Sequence, residues 1–223
     1  MPHSPSVTQR FADRRDAGRQ LAERLHDVPR ADLVLALPRG GVPVAFEVAR
    51  MLDLPLDLIM VRKIGAPRQP EFGIGAVVDG DSPQMFLNAE LVEMAGASDA
   101  YLADEKARQL KTIESRRSRY LGGRPIAEIA GRSIIVVDDG IATGGTARAA
   151  LDAMQKQGAT HVTLAVPVSS REALNDLRDR ADEIICLSAP VDFGAVGSYY
   201  DVFEQTTDEE VIGLLAQAKI PEP

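Results

Sequence analysis

An α/β fold with a doubly wound, mainly parallel sheet flanked by helices is predicted by three features of this 223-residue sequence. Apolar runs at 31–37, 56–61, 134–137, 161–168 and 183–187 alternate with helical patterns, as they do where parallel strands are joined by crossover helices. Two of these runs end in glycine-rich turns that open directly into a helix, Pro38-Arg39-Gly40-Gly41 and Asp138-Asp139-Gly140-Ile141-Ala142-Thr143-Gly144-Gly145-Thr146. The run Ile134, Ile135, Val136, Val137 is apolar on both faces, which suits a central strand covered by helices on each side.

Each element has its own signal. Residues 1–9 are polar and expected to be loose. Residues 11–26 read as an amphipathic helix, with Phe11, Ala17, Leu21 and Leu25 inward and Arg14, Arg15, Arg19 and Glu23 on a solvated face. The strand at 31–37 turns through glycines into a helix at 42–52. A second strand, 56–61, is expected to end at Arg62-Lys63-Ile64-Gly65, and 67–80 reads as a hairpin. The highly charged stretch 99–119 is a helix. Because 62–131 is too long for an ordinary connection between two core strands, it is expected to be an insertion. Helices at 147–157 and 171–180 alternate with the last strands, and Thr207 with Glu210 three residues on caps a closing helix at 208–218. The expected organisation is one domain over 1–223, with a core of about 30–62 and 131–190, an insertion at 63–130 and a C-terminal hood at 191–223.

The chemistry concentrates after the strand at 134–137. Asp138 and Asp139 stand at its carboxyl end, where open α/β sheets bind ligands. The glycines allow close backbone approach, Thr143 and Thr146 add hydroxyls, and the following helix offers unpaired N–H groups, so the loop suits a phosphate. Two carboxylates would repel a phosphate unless the ligand also carries hydroxyls for them to accept. Ribose 5-phosphate has that shape, and a divalent cation can offset the remaining repulsion.

The run Val136 to Thr146, with apolar residues, two acids and a Thr-Gly loop, resembles the motif by which type I phosphoribosyltransferases bind phosphoribosyl pyrophosphate (PRPP). The resemblance implies that Asp138 and Asp139 hold the ribose hydroxyls and that Ala142, Thr143, Gly144, Gly145 and Thr146 hold the 5′-phosphate. Arg39, Gly40 and Gly41 look like the family's pyrophosphate loop, often built on a non-proline cis peptide, although a plain strand-to-helix turn would look similar. Arg62 and Lys63 resemble the cationic pair of adenine and orotate transferases, which sometimes reaches a neighbouring subunit; a surface pair would read the same. The insertion matches the family's mobile flap, from which Arg116, Arg117 and Tyr120 could approach the phosphates on closure; a solvated helix end would read the same. Ile141 and the aromatic segment with Phe193, Tyr199 and Tyr200 are similar in placement to a wall for the acceptor base, or else pack as core. Ala142 stands where 6-oxopurine transferases carry a third acid.

The implied activity is transfer of a 5-phosphoribosyl group from PRPP to a small nitrogenous acceptor, a purine-like base being favoured, with release of pyrophosphate. Arg39, Lys63, Asp138 and Asp139 would carry it, with Mg²⁺ arriving on PRPP near the two acids rather than in a dedicated site, and a homodimer is expected. The alternative is a regulator that senses PRPP without turnover.

Other classes are disfavoured. Gly144-Gly145-Thr146 has no lysine for nucleotide phosphates, so this is not a P-loop. Net charge −8 argues against a nucleic-acid partner. One cysteine, Cys186, and three scattered histidines offer neither a disulfide nor a zinc site. No long apolar run or signal-peptide pattern is present, so a cytoplasmic protein without a membrane partner is expected.

Overall fold

The structure, a computed structural model, describes residues 10–26, 31–80 and 82–221. The expected loose segment at 1–9 and the first residue of the expected core lie outside these. In chain order the elements are α1 (Arg14–Leu25), β1 (Leu33–Ala36), α2 (Gly41–Met51), β2 (Leu56–Leu58), β3 (Val61–Ala66), β4 (Gln69–Val78), β5 (Gln84–Leu87), α3 (Ala89–Ala95), α4 (Asp99–Leu121), β6 (Ser133–Val137), α5 (Gly145–Lys156), β7 (His161–Val168), α6 (Arg171–Leu177), β8 (Glu183–Ser188) and α7 (Asp208–Gln217).

Five strands form one parallel sheet in the order β2-β1-β6-β7-β8. Alternate side chains enter two cores. Val34, Ala36, Ile135, Val137 and Ala165 pack with α1, α2 and α7, while Leu33, Leu35, Ile134, Val136 and Leu164 pack with α5 and α6. Burial of each large apolar side chain contributes roughly 1.5–3 kcal/mol, so the continuous apolar runs explain why both faces are covered. The strand order reverses between β1 and β6, which lie side by side with Ala36 opposite Val137. The loops that follow these two strands therefore meet at the switch point of the sheet.

The second core strand is shorter than expected, which corrects the placement of Arg62 and Lys63. β2 stops at Leu58, because its partner β1 has turned into the glycine loop: Leu37 already donates to Val137, and Ile59 donates to the last β1 carbonyl. Met60 is captured instead by Asp79, whose carboxylate accepts its N–H at 2.8 Å. Arg62 and Lys63 thus lie inside β3 of a second, antiparallel sheet, β3-β4-β5. The hairpin expected within 67–80 is also corrected: Gln69–Val78 is the single strand β4, and the hairpin is formed with β3, whose residues were expected at the end of the core strand, while β5 and α3 were not foreseen. The insertion is packed against the rest of the fold. Tyr101 of α4 donates its hydroxyl to Gly65 of β3 at 2.8 Å, and α4 also carries Arg117 into the core.

The helix expected at 171–180 finishes as a 3-10 turn over Arg178–Arg180. Cys186 is half-buried in β8, and burial pushes its thiol up to about 11. Among the described residues, no helix is long and apolar enough to cross a membrane.

Candidate PRPP site

Of the seven helices described, α1, α3, α4, α6 and α7 are closed at their N-termini by side chains of Asp13, Asn88, Ser98, Ser170 and Thr207. The other two, α2 and α5, begin after Gly40 and Gly144 with no side-chain cap and no acid in the first turn. These are the two helices that follow β1 and β6. Their first N–H groups lack a capping side chain, and each helix dipole favours an anion there. Gly144 has φ +76°, a conformation that favours glycine and turns the chain into α5. Ala142, Thr143, Gly145 and Thr146 are exposed around it. Ser170 holds this loop to the end of β7 by donating its hydroxyl to the Ala142 carbonyl at 2.8 Å. Ile141 is buried beneath the loop with α5 and α6.

The acids stand between the two loops. The Pro38–Arg39 peptide is cis. A Cβ placed on Gly40 would lie 2.1 Å from the Asp139 Oδ2, and one on Gly41 would lie 2.8 Å from the Val137 carbonyl oxygen. Only glycine lets the two loops approach this closely. The Asp139 N–H donates to the Asp138 carboxylate at 2.8 Å. Burial, followed by the neighbouring Asp139 carboxylate, pushes the Asp138 carboxyl well above the usual range.

Arg14 was expected on a solvated face, and the structure corrects this. Its Nε donates to the Asp139 Oδ2 at 2.8 Å, its Nη1 donates to the Glu204 carbonyl at 2.7 Å, and its guanidinium lies 3.8 Å from the centre of the Phe203 ring. A signal for it was present: Arg14 precedes Leu21 by seven residues, and so shares the buried stripe of α1. Behind the pair, the Tyr200 hydroxyl donates to the Asp139 carbonyl. Burial and then the Asp139 charge push this phenol far above its ordinary range.

The expected cations are distributed differently. Arg39 stands in the β1 loop but is turned toward α7, with Nη1 3.3 Å from Asp208. Asp208 also accepts the Tyr120 hydroxyl at 2.6 Å and pairs with Arg119, so Tyr120 does come near Arg39. Burial first, then the bond to Asp208, pushes the Tyr120 hydroxyl up. Lys63 is tied to Glu71, with Nζ 3.0 Å from the carboxylate. Arg62, on the opposite face of β3, donates to Gln109 of α4 at 3.0 Å. Arg117 is 7% exposed and points away from the loops into the core, so its expected approach to a phosphate is also corrected.

Phe193 stacks on Tyr199 with ring centres 5.6 Å apart, and Tyr200 packs between Phe11 and Phe203. Tyr199 and Tyr200 are buried. The segment thus forms a small aromatic core beside Asp139. Val196 from the same segment closes over Gly140, where an added Cβ would meet it at 2.5 Å. A separate cavity of about 400 Å³, walled by Leu110, Ile113, Pro125 and Ile126, includes no residue of the two loops. Among the described residues, no group of three or more His, Cys, Asp or Glu side chains is placed to hold a metal ion.

Residues 12–202 match the phosphoribosyl transferase domain family. A putative phosphoribosyl transferase of Mycobacterium tuberculosis is 44% identical over 209 residues, covering 93% of this chain and 47% of that protein. The chain thus spans about half the length of this relative. A uracil phosphoribosyltransferase of Streptococcus sanguinis is 27% identical over 190 residues, 85% of this chain and 82% of its own. The crystal structure of TT1426 from Thermus thermophilus superposes with a TM-score of 0.82 at 46% identity, over 94% of this chain and 99% of that one. By sequence and by fold, this chain belongs to the type I phosphoribosyl transferase domain family.

Proposed function

We propose that the chain binds PRPP across the carboxyl ends of β1 and β6 and transfers its 5-phosphoribosyl group to a small nitrogenous acceptor. One observation carries this reading: the two helices without side-chain caps flank one pair of carboxylates. The α5 end, with Thr143 and Thr146, takes the 5′-phosphate. The α2 end, with Gly40, Gly41 and Arg39, takes the diphosphate. Asp138 and Asp139 accept the ribose hydroxyls between them.

In the reaction, the bond from C1′ to the diphosphate breaks and its electron pair leaves with the pyrophosphate. The acceptor nitrogen uses its lone pair to form the new bond to C1′, and the proton it sheds passes to solvent or to a base outside the loop, since Ala142 supplies none. The chain contributes positioning and charge stabilisation of the leaving group. Arg39, one-third exposed, reaches that charge on leaving Asp208; Lys63 must first part from Glu71. Two adjacent carboxylates and a phosphate ligand fit a Mg²⁺ ion carried by PRPP better than a resident one. Bound there, the ion would neutralise diphosphate charge. A homodimer is proposed from the family resemblance alone.

Ala142 and the Arg62-Lys63 pair, which resemble adenine-type transferases, favour an adenine-like or other non-6-oxopurine base, whereas the streptococcal relative is named for uracil. Pyrophosphate release from PRPP with Mg²⁺ is therefore measured across purines, pyrimidines and small amines. Calorimetry compares PRPP binding by the native chain and by the Asp138→Asn, Asp139→Asn double variant. Loss of binding in a folded double variant supports the ribose placement; unchanged affinity removes it. Sensing of PRPP without turnover is the second reading, favoured by the ties of Arg39 to Asp208 and of Lys63 to Glu71. Tight PRPP binding with no release for any acceptor would establish it over the first.

A further inference from the structure

We propose that Arg14 is a positioning residue of the ribose site, fixing Asp139 and offsetting its charge so that a phosphorylated ribose can approach. The inference rests on the PRPP reading above, and it gives α1 a role beyond packing.

Asp138 and Asp139 are adjacent at the end of β6, and they face a ligand that itself carries phosphates. Without compensation, the second carboxylate repels both the first and the ligand. Arg14 supplies one positive charge at 2.8 Å, with side-chain exposure of only 12% for Arg14 and 15% for Asp139. The pair is therefore weakly screened, unlike an ion pair in open solvent.

The geometry also selects arginine. Nε faces Asp139, Nη1 faces the Glu204 carbonyl, and the flat guanidinium lies over Phe203. A lysine ammonium provides the charge but cannot combine two directed bonds with a stacked face. Arg14 engages the Asp139 Oδ2, so it acts through the carboxylate rather than on the ligand. On the other side, Asp139 fills the space left by Gly40, and its backbone carbonyl is held by Tyr200. The carboxylate is thus placed by α1 and the β1 loop, and the backbone that carries it by the C-terminal segment.

The test is a double-mutant cycle read by PRPP calorimetry, with melting temperatures as a control for folding. Arg14→Gln is expected to weaken PRPP binding at least tenfold, and Arg14→Lys to recover part of that loss. In an Asp139→Asn background, Arg14→Gln should change affinity less than twofold, because its partner is already neutral. Unchanged affinity in Arg14→Gln, tighter binding, or losses that multiply with Asp139→Asn would each overturn the proposal. Tighter binding would make Arg14 a competitor of the ribose. A lowered melting temperature with native PRPP affinity would reduce Arg14 to a structural contact. Failure of the native chain itself to bind PRPP would instead sink the PRPP reading, and this inference with it.

Discussion

Arg117, from the long helix α4, places its Nη2 2.9 Å from the carboxylate of Asp57 in the middle of β2. Its Nη1 bonds Asp79 at 2.8 Å and the Leu58 carbonyl at 3.1 Å, so one guanidinium ties the insertion to the edge of the core sheet. Asp57 also accepts the Ala127 N–H, which anchors the return of the chain toward β6.

Replacing Arg117 with methionine keeps much of the volume but takes the cation from buried Asp79 and leaves Asp57 with the more distant Arg124 at 4.0 Å. Removal of one partner from a buried network of this kind costs about 3–5 kcal/mol. Urea unfolding should register that loss, and limited proteolysis should open the segment around Ala127 first. A cost under about 1 kcal/mol would show that the network contributes little.

Asp79 supplies a pH signature. Burial outweighs Arg117 and pushes its carboxyl up to about 6. A folded value above the unfolded one near 3.9 means that the native state holds the extra proton between these limits. The stabilisation from Asp79 is therefore complete below about pH 4 and is lost as pH rises through about 6, by about 3 kcal/mol at most. Asp79→Asn mimics the protonated form. Its stability relative to the native chain should improve from pH 4.5 to pH 7.5 in urea titrations, whereas a constant difference would place the Asp79 value in the ordinary range.

Gly40→Ala probes the meeting of the loops. The added methyl would sit 2.1 Å from the Asp139 Oδ2, which Arg14 also holds. The carboxylate must swing away, and a PRPP affinity at least tenfold weaker is expected in a protein that still folds, measured by calorimetry and circular dichroism. Native affinity would mean that Asp139 is not the ribose acceptor in this arrangement.

The parallel core was legible in the sequence because each of its strands is a local apolar run and the loops after β1 and β6 carry their own glycines. The Asp138–Thr146 loop was legible for the same reason: its acids, glycines and hydroxyls are contiguous. The position of Lys63 was not. Nothing local distinguishes a strand that continues from 58 to 61 from one that stops at Leu58 because its neighbour has already turned away.

By itself, then, the sequence determined the alternation of strands and helices, the two phosphate-type loops and the pair of acids, all properties of neighbouring residues with a recognisable period or order. Tertiary structure decided what side chains far apart in the chain do to one another. It brought Arg14 to Asp139 across 125 positions, turned Arg117 inward between Asp57 and Asp79, and packed Tyr200 behind Asp139. A charged residue reads as solvated when only its own helix is considered. Its partner is chosen by which elements the folded sheet sets side by side, and by the cost of leaving a buried charge unpaired.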